Sequence, residues 1–155
     1  MARPVGVDIS KWQANNLETH PDEHGVNFTV LHNKADFIFV RAGYGGSAGG
    51  AHLDERVHQY MRDLGPLLQQ EPKPFSFYWY LRDDVNLNDQ ANLFCSVINQ
   101  YKNRVNLSPV VDAEVFVQSD LGSTQFIKDF DAEVQRQTGL VVDVRYGRAG
   151  QLNAE

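Results

Sequence analysis

The sequence predicts an α/β fold with about five parallel strands, and two observations carry that prediction. Short β-prone runs alternate along the chain with segments whose apolar residues recur every three or four positions. Alternation of this kind favours a parallel sheet, because each crossover to a parallel neighbour needs room for a helix. No repeat of fixed period and no low-complexity linker interrupts the pattern, so 155 residues read as one domain, residues 1–147, with an irregular tail at 148–155.

The first strand is the run Val5-Gly-Val-Asp-Ile9. A polar stretch follows to Asn27, broken by Pro21 and Gly25. One or two helical turns are expected from Phe28 to Asn33. Asp36 to Ala42 is the second strand, and Gly43 to Gly50 reads as a flexible loop beyond it. The stripe Leu53, Val57, Tyr60 and Leu64 predicts a helix. Phe75 to Leu81 is the third strand. Asn86 or Asn88 can cap the next helix, whose stripe is Leu87, Ala91, Phe94, Ile98 and Tyr101. Pro109 to Val115 is the fourth strand. Ser123 is the candidate cap of a helix carrying Ile127, Phe130 and Val134, and Gly139 sits where a glycine ends a helix. Leu140 to Val144 is the fifth strand.

Composition excludes several classes. A net charge of -6 offers no basic face for nucleic acid. No window approaches the roughly 20 apolar residues of a membrane span. Cys95 is the single cysteine, so neither an internal disulfide nor a cysteine zinc site can form. The five histidines show no metal-ligand spacing, and His20 and His24 read as part of a solvated loop. Gly43–Gly50 lacks the closing G-K-[ST] of a phosphate loop. No metal and no cofactor is expected. Met1-Ala-Arg-Pro4 carries no apolar leader. The expectation is a protein made in the cytoplasm that acts after release, phage-type or extracellular.

The sharpest chemical feature is Asp112-Ala-Glu114. A strand places alternate side chains on one face, so both carboxyls point the same way, with Cα atoms roughly 6.5–7 Å apart. They lie near the C-terminal end of their strand, the edge where parallel α/β folds build sites. Neighbouring carboxylates repel, so burial should raise at least one pKa. Glycoside hydrolysis uses such a pair, one group as acid and one to stabilise or attack the sugar cation. The competing reading is a solvated strand end, or an ion pair with Arg41 or Arg82. Asp8, near the end of the first strand, can join the same pocket in a closed barrel; alternatively it caps the turn that follows. On the third strand, Ser76, Tyr78 and Tyr80 share one face, and Phe75, Phe77 and Trp79 the other. Tyr78 and Tyr80 offer ring faces and hydroxyls to a carbohydrate. Trp12 either stacks on a sugar or covers the barrel bottom.

These residues resemble a known family. Gly6-Val-Asp-Ile-Ser-Lys-Trp-Gln13 is similar to the opening of the glycoside hydrolase family 25 lysozymes, and Pro109-Val-Val-Asp-Ala-Glu114 to their P-x-x-[LV]-D-x-E strand. Between them, Phe37–Gly45, Asp54, Tyr78-Trp-Tyr80 and Asp89–Phe94 follow in the family's order, and the likeness runs from residue 5 to about 140. The resemblance implies an N-acetylmuramidase that hydrolyses the β-1,4 bond between N-acetylmuramic acid and N-acetylglucosamine in bacterial peptidoglycan. Glu114 would be the general acid, Asp112 its carboxylate partner, and Asp8 a further wall of the pocket. Tyr78, Tyr80, Trp12 and Arg41 are the candidates for substrate binding.

Two departures stand out. Trp79 replaces a histidine of the family motif, a change expected to affect packing on the outer face. The chain also ends early for a closed (β/α) barrel, which needs about 200 residues or more. The expected fold is therefore an incomplete, TIM-like barrel. Its open edge would invite self-association or a complementing chain. A non-catalytic peptidoglycan-binding remnant is the alternative function, and a flavodoxin-like open sheet the alternative fold.

Overall fold

A computed structural model describes residues 3–13, 25–115 and 120–145; His20, His24 and the tail 148–155 fall outside them. Strand β1 (Gly6–Ile9) lies parallel to β2 (Phe37–Gly46) and sets Asp8 opposite Phe39. Between them a 3-10 turn (Lys11–Gln13) and helix α1 (Phe28–Lys34) are described. The Asn27 side chain caps α1 by accepting from the Val30 amide at 3.0 Å.

Strand β3 (Gly50–Leu53) folds back antiparallel on β2. Helix α2 (Val57–Gln70) leads to β4 (Phe75–Arg82), helix α3 (Leu87–Gln100) to β5 (Val110–Val115), and helix α4 (Asp120–Thr138) to β6 (Asp143–Arg145). Asn86 caps α3 through the Asp89 amide, 3.1 Å away. Gly139 ends α4 at φ +75°, a conformation that costs glycine little.

The parallel strands lie in the order β1-β2-β4-β5-β6, so every crossover steps to the next strand in the same direction. A flavodoxin-like sheet reverses its order at a switch point. No reversal occurs here, and the sheet curls into a half-barrel. That winding makes the two faces unlike. Ile38, Val40, Phe75, Phe77, Trp79, Leu81 and Val111 point outward and have no solvent exposure. They pack with the helix residues Leu64, Phe94, Ile98, Phe130 and Val134 into one core. Each such side chain removed from water contributes roughly 1.5–3 kcal/mol. Trp79 belongs to this core; its ring lies 5.7 Å from Phe94 and its indole N–H reaches Gln90 at 3.2 Å. Cys95 is buried there too.

Three local expectations are corrected. The glycine segment is a hairpin: β2 runs to Gly46, and the turn closes through the Gly49 amide on the Gly46 carbonyl at 3.1 Å, with Gly49 at φ +78°. Leu53 therefore ends a strand, and the helix starts at Val57 and continues through Pro66. Ser123 is an interior residue of α4, where its hydroxyl donates to Asp83 Oδ2 at 2.9 Å.

Candidate active site

The concave face of the half-barrel carries the polar residues. Period-2 alternation turns Asp8 of β1, Phe39 of β2, Tyr78 of β4, and Val110, Asp112 and Glu114 of β5 into one cavity of about 250 Å³. Asp8, Asp112 and Glu114 thus share a pocket. The turn after β1 is held by other groups, since Gln13 Oε1 accepts from the Ser10 amide at 2.6 Å. Neither arginine named as a possible ion-pair partner is engaged with the carboxylates. Arg41 pairs with Asp54 at 2.7 Å, and Arg82 grips Asp84 through Nε and Nη2 at 2.8 and 2.7 Å.

Electrostatics acts strongly on Asp112. Burial, with the nearby Glu114 charge second, pushes Asp112 up to about 6. Asp8 adds a smaller push, Arg145 opposes it, and a hydrogen bond to Glu114 favours the protonated form. Tyr78 is driven up to about 12, chiefly by burial, so its hydroxyl keeps its proton.

Arg145 is a pocket residue that sequence reasoning missed. It pairs in register with Asp112, and its guanidinium carbon lies 5.4 Å from the Phe39 ring centroid. Its signal was the alternation of the last strand carried one residue further: Val142 and Val144 pack outward on the core, so Asp143 and Arg145 face inward.

Tyr80, Trp12 and Arg41 line a second cavity of about 340 Å³, together with Lys11, Tyr44 and Arg82. Tyr44, Tyr80 and Asp112 lie side by side on neighbouring strands, so the second cavity adjoins the first. Trp12 is 61% exposed and walls this cavity at the strand ends. Asp54 accepts from the Lys11 amide at 3.0 Å, from Arg41, and from the Arg56 amide at 2.9 Å. It ties the Trp12 turn to β2 and to the start of α2.

No family model and no curated protein matches this sequence. Solved structures do match its fold. The catalytic domain of the endolysin ply40, from bacteriophage P40 of Listeria monocytogenes, superposes with a TM-score of 0.68 at 22% identity, over 94% of this chain and 65% of that one. A family 25 glycosyl hydrolase from Bacillus anthracis gives 0.63 at 16% identity, over 94% and 62%. The modular autolysin LytC from Streptococcus pneumoniae, solved with a synthetic peptidoglycan ligand, gives 0.66 at 17% identity, over 94% and 33%. The chain spans less than two thirds of each of these structures, and it has their fold.

Proposed function

We propose that this chain is a glycoside hydrolase family 25 lysozyme, acting on the glycan strands of peptidoglycan at the β-1,4 bond between N-acetylmuramic acid and N-acetylglucosamine. The observation that carries this reading is the meeting of Asp8, Asp112 and Glu114 in one cavity. The fold shared with an endolysin catalytic domain and with an autolysin solved on a peptidoglycan ligand supports the same substrate.

The chemistry follows from the pair. Below about pH 6 Asp112 keeps its proton and is hydrogen-bonded to Glu114. Glu114, the more open of the two, passes the proton to the leaving glycosidic oxygen as the bond to the anomeric carbon breaks. The carboxylate of Asp112 then faces the sugar cation, or orients the substrate's own acetamido group. Water adds its hydroxide to the anomeric carbon, and its proton returns to the pair. The Tyr78 hydroxyl donates a hydrogen bond beside the cleaved bond. Tyr80 and Trp12 hold sugar rings along the adjoining cavity, and Arg41 anchors that cavity's floor. The shared fold with a phage endolysin fits action on the wall after release.

Release of soluble fragments from purified peptidoglycan, wild type beside Glu114→Gln, tests this. The wild type is expected to release fragments and the variant to lose roughly 10²–10⁴-fold. A folded wild type that retains glycan but releases nothing overturns the hydrolase and leaves a binding protein.

A further inference from the structure

The second cavity has a chemistry that glycan stacking alone does not need. It is walled by three cations, Lys11, Arg41 and Arg82, and three aromatic rings, Trp12, Tyr44 and Tyr80, and among the described residues no carboxylate lines it. The acidic partners Glu55, Asp54 and Asp84 stand outside that wall. The cations are incompletely used. An ammonium has three donors; Glu55 takes one from Lys11 at 2.9 Å, and the Tyr44 hydroxyl a long one at 3.5 Å. Asp84 occupies Nε and Nη2 of Arg82 and leaves Nη1 over. Arg41 Nη2 is buried with no hydrogen-bond partner. The Lys11 and Arg82 side chains are each only 15% exposed and so are held against the cavity wall.

We propose that this cavity is an anion-reading subsite: it seats a sugar ring against Trp12 and receives a carboxylate carried on that sugar's substituent between Lys11 and Arg82. The inference rests on the glycan-hydrolase reading and adds to it a requirement for an acidic substituent. Neutral glycans such as N-acetylglucosamine oligomers would stack there and leave the cations unanswered. In peptidoglycan the carboxylate has two sources: the lactyl group of muramic acid where the peptide is removed, and the acidic groups of the stem peptide where it is attached. Arg41 is held in the floor by Asp54, and glycine at position 45 leaves room for the Arg82 side chain, since a Cβ there would sit 3.0 Å from Arg82 Cβ.

Titration calorimetry on the Glu114→Gln chain, which prevents turnover, tests this with three tetrasaccharides. One carries free lactyl carboxylates, one has them reduced to alcohols, and one carries stem peptides. At least one acidic glycan is expected to bind roughly tenfold tighter than the reduced one, as charge-assisted hydrogen bonds allow. Which of the two does so identifies the carboxylate. Lys11→Gln with Arg82→Gln should abolish the preference, so that the acidic glycans bind no tighter than the reduced one; Trp12→Ala should weaken all three alike. Equal binding of all three glycans, or a preference that survives the double substitution, overturns the subsite while the glycan reading stands. Binding of none sinks the glycan reading, and the subsite with it.

Discussion

Arg41 Nε donates to Asp54 Oδ2 at 2.7 Å, and the Asp54 side chain has no solvent exposure. Arg41 projects from the concave side of β2, while Asp54 follows the β2–β3 hairpin, so the pair locks a strand end to its own return loop. The same carboxylate receives the Lys11 amide, and Tyr60 donates to the Ser10 carbonyl at 2.9 Å. The Trp12 turn therefore owes its position to groups 40 or more residues away in sequence.

Removing Asp54 should be costly. Asp54→Ala leaves Arg41 buried without its counter-charge and two backbone amides without an acceptor, a loss of about 3–5 kcal/mol. Thermal unfolding should show a clearly lowered Tm. An unchanged Tm would show that water reaches this pair and that it does not fix the turn.

Gln90 should be nearly as sensitive. It is fully buried in α3, where its amide accepts from Trp79 Nε1 and the Arg82 amide and donates to the Arg82 and Val85 carbonyls, all within 3.2 Å. Gln90→Leu keeps the volume but strands those groups, so a loss of roughly 2–4 kcal/mol is expected, measured by denaturant unfolding. A cost under about 0.5 kcal/mol would mean the network is dispensable.

Much of this fold was legible because its signals are local. The strands around Asp8, Tyr78 and Asp112 announce themselves by period-2 alternation, and Gly139 by its place after a helical stripe. The hairpin at Gly46–Gly50 was misread although its signal was present: glycine at the third position of a three-residue loop is the left-handed residue such a turn needs. Helix α2 starts late because Leu53, apolar and in phase with Val57, is claimed by pairing with Gly43. The carboxylate cavity could be foreseen from strand geometry, but the roles of Asp54 and Gln90 could not. Their partners are assembled by tertiary contact, which spacing along the chain does not encode.

Asp112 makes stability and activity pull against each other. Its folded-state pKa of about 6 exceeds the ordinary 3.8, so the folded chain holds this proton more tightly than the unfolded chain does. The contribution from that proton is complete below about pH 4 and is lost as pH rises through 6. Above 6 the folded chain carries a half-buried charge beside Glu114. Asp112→Asn should stabilise the protein at pH 7 by about 1–2 kcal/mol, a figure discounted for partial exposure, and the gain should vanish at pH 4. Equal effects at both pH values would show that Asp112 has an ordinary pKa.

The same titration sets the pH profile of glycan cleavage. In the proposed reaction the proton comes from the Asp112 side of the cavity, and Asp112 loses it near pH 6. Initial rates on peptidoglycan are expected to be highest on the acid side and to fall about tenfold per unit well above pH 6. A rate that stays flat from pH 5 to 8 would mean that neither carboxyl delivers the proton.

Trp12 should separate binding from folding. At 61% exposure it lies outside the core, with the Lys11 ammonium 5.4 Å from its ring. Trp12→Ala should leave Tm within about 1–2 °C of wild type, because surface substitutions of this kind usually cost under 0.5 kcal/mol. If a sugar ring rests on the indole, losing that platform weakens ground state and transition state alike. KM should then rise several-fold while kcat stays constant, the pattern of lost uniform binding. A fall in kcat at constant KM would instead place Trp12 at the reacting sugar. That outcome would move the cleaved bond from the carboxylate cavity towards the second one.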